Sequence, residues 1–149
     1  MATTVGQENS VEKLIENCIL LEHDAIAAYD AVIERLETPD YRAQVESFKK
    51  DHLQHLEALH GFAAEHGVNA PTEGDMKEML TTGKIKLANL GGDGAILKAM
   101  STNESDTVSA YAHAVENAVL PASMRGMVES ALTDEKRHKE WMESTAARA

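Results

Sequence analysis

In the stretch Asp51–Leu59, DHLQHLEAL, His52 and His55 stand three residues apart. Glu135 and His138 keep the same separation in Asp134–Glu143, DEKRHKEWME. Side chains at i and i+3 share one face of a helix, so a single cation can be gripped by both. Imidazole nitrogen with carboxylate oxygen is a donor set for iron, manganese or zinc. Two more glutamates carry a second pattern: Glu22 precedes Tyr29 by seven residues, and Glu104 precedes Tyr111 by seven. Glu22 lies 33 residues before His55, and Glu104 lies 34 before His138. The chain therefore reads as two halves. Each half has one helix with Glu-x6-Tyr and a second with [His/Glu]-x-x-His.

These residues do chemistry together only if helices aim them at one place. Helical periodicity predicts four long helices, over about 10–37, 39–66, 93–118 and 121–144, in a single domain spanning 1–149. Ser10 is placed to cap the first, with Lys13 where a capping box would have Glu. Thr38 is placed to cap the second, with Pro39 in its first turn, and Gly67 stops it. The joints between the first and second helices and between the third and fourth are short, so each should be an antiparallel pair. The connection 68–92 is long enough to cross a bundle, with a short helix expected around Asp75–Thr82. Two antiparallel pairs joined by one long crossover is the ferritin-like arrangement of the four-helix bundle, an all-α fold.

Alternating steps of three and four trace one stripe per helix. The stripes run Ile15, Cys18, Glu22, Ala25, Tyr29, Val32, Leu36; Tyr41, Val45, Phe48, His52, His55, Leu59, Phe62; Leu97, Met100, Glu104, Thr107, Tyr111, Ala114, Ala118; and Met124, Val128, Ala131, Glu135, His138, Met142. Each is apolar at both ends and ionisable near its middle. A buried carboxylate must be protonated, paired or bound to a cation. No Lys or Arg lies in any stripe. Three carboxylates and three imidazoles at one depth predict a shared metal site of Glu22, His52, His55, Glu104, Glu135 and His138. Cys18 reads as a small core residue, and Met100, Met124 and Met142 as core filler. His23, His60, His66 and His113 fall off the stripes or at their ends and read as surface or terminal.

The composition narrows the partners. Asp and Glu outnumber Lys and Arg by 25 to 14, a net charge of −11, which argues against nucleic acid or an anionic membrane. One cysteine forbids an internal disulfide, and the sequence shows neither a secretory leader nor an apolar run of membrane-spanning length. A cytoplasmic location is the expectation.

The segments LLEHDAIAAYDA (Leu20–Ala31), NESDTVSAY (Asn103–Tyr111) and DEKRHKEWME resemble the first, third and fourth helices of the ferritin-like superfamily, in its rubrerythrin and bacterioferritin branch. That family places a Glu on each of two helices and Glu-x-x-His on each of the other two. The resemblance implies a non-haem di-iron or manganese centre. Glu22 and Glu104 would be terminal ligands, His55 and His138 would cap the metals, Glu135 would bridge, and Tyr29 and Tyr111 would support the carboxylates. It implies ferrous oxidation or peroxide reduction, and a homodimer in preference to a 24-subunit shell. No rubredoxin-like Cys-x-x-Cys is present, so an external electron donor would be needed. The sequence departs from the family at His52, where a bridging Glu is expected. An imidazole does not bridge as a carboxylate does, and Asp51 is turned about 100° away on the helix. That departure supports two other readings: a mononuclear or zinc-binding protein without turnover, and a metal-free structural stress protein.

Overall fold

Ser10, in extended conformation, accepts a hydrogen bond on its side chain from the Lys13 N–H, and the chain turns there into α1 (Val11–Arg35). Residues 4–71 and 90–149 are described in the computed structural model. Three further helices follow: α2 (Pro39–Glu65), α3 (Gly92–Glu116) and α4 (Ala122–Arg148). Thr38 does occupy the N-cap position of α2, yet its side chain makes no capping bond. The turn before α2 is held from α3 instead. The Asp93 carboxylate accepts from the backbone N–H groups of Glu37 and Thr38, both at 2.9 Å, tying the α1–α2 turn to the start of α3. Burial opposes the charge of Asp93, but these hydrogen bonds and the Arg42 charge together outweigh it and hold the carboxyl below its usual range. Gly67 ends α2 with φ +66°, and Val68 N–H closes on the Ala63 carbonyl at 2.8 Å. α3 ends two residues earlier than its periodicity suggests, leaving Ala118 exposed outside it, while α4 continues past Ser144 to Arg148.

α1 pairs with α2 and α3 with α4; α1 also lies beside α3, and α2 beside α4. Asp93 meets the end of α1, and Asn117, just past α3, donates to the Gly6 and Glu8 carbonyls before α1. α1 and α3 are therefore antiparallel. α2 and α3 both start at one end of the bundle, so the end of α2 and the start of α3 are separated by the length of α2, about 40 Å. This is the four-helix bundle with two hairpins and a long connection that the sequence predicts. The helix expected around Asp75–Thr82 lies outside the described residues.

The stripes face inward nearly as drawn. In α2 the pattern drifts one residue at its end, so that Ala63 is buried and Phe62 only half-buried. The apolar interior falls into two clusters. One holds Leu14, Ile15, Cys18, Leu59, Ala114, Met124 and Val128; the other holds Val32, Leu36, Val45, Phe48, Leu97, Met100 and Met142. The polar layer of glutamates and histidines sits between them. Two apolar plugs thus shield it from water at both ends of the bundle.

Candidate metal centre

All six residues that the stripes single out meet in this layer. Glu22, His52, Glu135 and His138 are fully buried, Glu104 is 1% exposed and His55 6%. They form two nests that could hold a metal ion, Glu22–His52–His55–Glu135 and His52–Glu104–Glu135–His138. The nests share His52 and Glu135.

Glu135 faces both ways. Its Oε1 lies 3.5 Å from His52 Nε2 and 3.6 Å from His55 Nδ1, in the first nest. Its Oε2 lies 3.8 Å from His138 Nδ1 and accepts from the Thr107 hydroxyl at 2.9 Å, in the second. Glu135 Oε1, His52 Nε2, which also lies 3.7 Å from Glu104 Oε1, and His55 Nδ1 are buried without a hydrogen-bond partner. Three orphaned donors and acceptors facing one another would be costly unless something satisfies them. Ligands held ~2.0–2.1 Å from a tetrahedral ion stand roughly 3.3–3.4 Å apart, close to the separations found here. The residues fit a cation.

The two outer histidines are oriented in the same way. His55 Nε2–H donates to Asp134 on α4 at 2.8 Å, which turns Nδ1 toward Glu22 and Glu135. His138 Nε2–H donates to Asp51 on α2, also at 2.8 Å, which turns Nδ1 toward Glu104 and Glu135. Metal-binding histidines are commonly fixed by such a carboxylate on their far nitrogen. Arg137 joins the two supports, reaching Asp51 at 2.7 Å and Asp134 at 3.3 Å. Asp51 is not a substitute for the missing bridging Glu. It points across the α2–α4 seam and needs no distortion of α2. Asp51, Asp134 and Arg137 were not legible as site residues one by one. The signal for the aspartates was the repeat itself, since each [His/Glu]-x-x-His is preceded by Asp.

The tyrosines also cross between halves. Tyr29 donates to Glu104 in a very short contact, and Tyr111 donates to Glu22 at 3.2 Å. Each Glu-x6-Tyr helix thus supports the other helix's glutamate. Thr107 adds a hydroxyl 3.0 Å from Glu104 Oε2, where the matching residue of the first half is Ala25. Of the other histidines, His60 is exposed, while His23 is half-buried edge-on to it and His113 is half-buried over the Val5 carbonyl. Cys18 is a free, buried thiol pushed up by burial and by the Glu8 and Glu22 charges.

The buried carboxyls and imidazoles of the layer shift one another's protonation. Burial works to raise Glu22 and Glu104, but His52 and His55 pull Glu22 below the carboxylate range. A hydrogen bond from Glu135 and the His52 charge take Glu104 to about 2. Burial works to lower His52 and His55, yet the facing carboxylates hold both above the usual histidine range. Glu135 is raised well above the carboxylate range by burial and by the neighbouring Glu104 charge, only partly offset by His52. Burial holds His138 below its usual value, and its Nδ1, which faces the second nest, also meets the Tyr29 hydroxyl at 3.3 Å.

The fold and the site define an all-α four-helix bundle, ferritin-like in arrangement, with a buried His/Glu cluster that could hold a metal ion. The chain belongs to the family described as "Domain of unknown function (DUF2383)", whose model matches residues 8–117. Among solved structures it is similar to a conserved hypothetical protein, rv2844, from Mycobacterium tuberculosis. The two are 18% identical with a TM-score of 0.73, over 93% of this chain and 98% of that one. At that identity the likeness shows the fold. No curated protein matches the chain. No described helix is long and apolar enough to cross a membrane.

Proposed function

We propose that this chain is a non-haem metal protein related in design to the rubrerythrin and bacterioferritin branch of the ferritin-like proteins. In this reading it holds two iron or manganese ions. Glu22, His52 and His55 would hold the first ion, Glu104 and His138 the second, and Glu135 would span both. The observation that carries this reading is Glu135, whose two oxygens face two different nests. The metal would supply one-electron chemistry toward oxygen or peroxide. The chain's own residues would exclude water with the two apolar plugs, orient His55 and His138 through Asp134 and Asp51, and hold protons on Glu135, His52 and His55 until metal displaces them. Electrons would come from an external donor, and the assembly would be a homodimer, checked by mass in solution.

A second reading has its own support. His52 turns an orphaned Nε2 toward Glu135 Oε1, and the 3.4–3.6 Å spacings that link it, His55, Glu22 and Glu135 suit one tetrahedral zinc. Elemental analysis of protein purified without chelator separates the two. About two iron or manganese ions per chain, lost in the Glu135→Ala, His138→Ala double variant, supports the dinuclear reading, and oxygen and peroxide turnover is then measured. About one zinc per chain, unable to turn over either oxidant, supports the binding protein. No metal after anaerobic ferrous, manganous and zinc loading refutes both.

A further inference from the structure

The two open sides of the bundle differ. On the α2–α4 side, Asp51, Arg137 and Asp134 close the seam over the histidines, with Arg137 laid 5.5 Å above the Phe48 ring. On the α1–α3 side a cavity of about 290 Å³ opens. It reaches inward to Tyr29 and Glu104, and Glu104 belongs to the second nest. Small side chains make the opening: Ala25 and Ala28 face the cavity from α1, where a larger residue would fill it. Leu20 and Met100 add apolar wall. Asp24 and Asp106 lie at its polar margin on opposite helices, close enough for their charges to repel each other. Among the described residues no basic side chain pairs with either aspartate.

We infer that this cavity is a binding pocket for a small organic amine with an apolar body, seated against the Tyr29–Glu104 pair. The volume is near the lower end of the ~300–1,000 Å³ typical of small-molecule sites and far above the ~30 Å³ that one water occupies. Apolar walls with few polar groups select a hydrocarbon body. Two unpaired carboxylates at the margin select a positive charge and repel an anion. The ammonium group sits between Asp24 and Asp106. The hydrocarbon lies along Leu20, Ala25, Ala28 and Met100, and its far end meets the metal layer. The inference rests on the metal-centre reading for the chemistry that such a molecule meets, and is independent of it for binding.

The test uses benzylamine, benzyl alcohol and benzoate, titrated into the full chain with amide NMR shifts as the readout, in metal-free and zinc-supplemented protein. Benzylamine is expected to shift α1 and α3 amides saturably and to bind at least five-fold tighter than benzoate. Ala25→Leu, which fills the cavity, is expected to weaken it at least ten-fold with zinc stoichiometry unchanged. Ala28→Leu serves if the first variant fails to fold. Asp24→Asn with Asp106→Asn is expected to weaken benzylamine and leave benzyl alcohol as it was. No saturable benzylamine binding, equal binding of benzoate, or indifference to both leucine variants overturns the inference. Benzylamine binding in a chain that takes up no metal would sustain the pocket while refuting the metal centre, so the two failures are distinguishable.

Discussion

Replacing Asp134 tests how the histidines are prepared for metal. Asp134 accepts from His55 Nε2–H at 2.8 Å and is 25% exposed, so in Asp134→Ala water can take its place without leaving a buried orphan. The fold should survive. What is lost is the fixed tautomer and ring angle that present Nδ1 to the first nest. Loss of such an outer carboxylate typically weakens metal binding 10–100-fold, or about 1.4–2.7 kcal/mol. Asp134→Asn keeps an acceptor oxygen without the charge and should fall at the lower end. Asp51→Ala is the matched case, because Asp51 holds His138 at the same distance in the other nest. The assay is competition with a chromophoric chelator, fitted to stepwise constants. The first nest alone includes the orphaned His55 Nδ1, so it should fill first. Asp134→Ala should weaken the first step and Asp51→Ala the second. If Asp134→Ala leaves the first constant within two-fold, or both variants weaken both steps equally, the assigned division of the nests is wrong.

Five other outcomes follow from the structure. Metal at about 1,000 times its Kd should add roughly 4 kcal/mol of stability, and so raise the melting temperature by about 8–16 °C in a domain of this size; an unmoved melting curve would refute native-state binding. Metal-free protein holds extra protons on His52 and His55, whose folded values lie above the unfolded ones. Their stabilisation is complete below about pH 6.5 and is lost as pH rises through the folded values, so metal-free stability should decline above about pH 6.5. Metal must displace those protons and the one on Glu135, so affinity should rise with pH and weakly buffered titrations should acidify; affinity that is flat between pH 6 and 8 would contradict this. His52→Glu restores the fourth carboxylate, and should firm up the second ion by metal count while lowering metal-free stability, since four buried carboxylates then lack their main cation. Gly6 sits at φ +96° with an added Cβ driven against the Ala110 carbonyl, so Gly6→Ala should cost about 1–3 kcal/mol in chemical denaturation and leave metal affinity unchanged.

Much of the site was legible because helices write their packing into a simple period. Glu22, Glu104, Glu135, His52, His55 and His138 stand out as ionisable residues in otherwise apolar stripes, and all six are buried together. The residues that escaped notice lie just off the stripes. Asp51 and Asp134 are one position before a stripe residue, a place that reads as solvated surface. Only the α2–α4 seam reveals that each reaches a histidine on the neighbouring helix. The tie on the α1–α2 turn was hidden for a similar reason, since Asp93, which accepts from the Thr38 N–H, arrives from 55 residues away.

The sequence by itself determined four amphipathic helices, their two-by-two pairing, the depth of the polar layer and the doubled pattern of its halves. Periodicity, helix-ending residues and loop length are properties of neighbouring residues, and one chain suffices to read them. Tertiary structure decided which side chain meets which. It crossed Tyr29 to Glu104 and Tyr111 to Glu22, set the two oxygens of Glu135 toward separate nests, and closed one side of the bundle while opening the other at Ala25. Those outcomes depend on how helices rotate and lean against one another, and contacts across a bundle are set by the packing of all four surfaces at once.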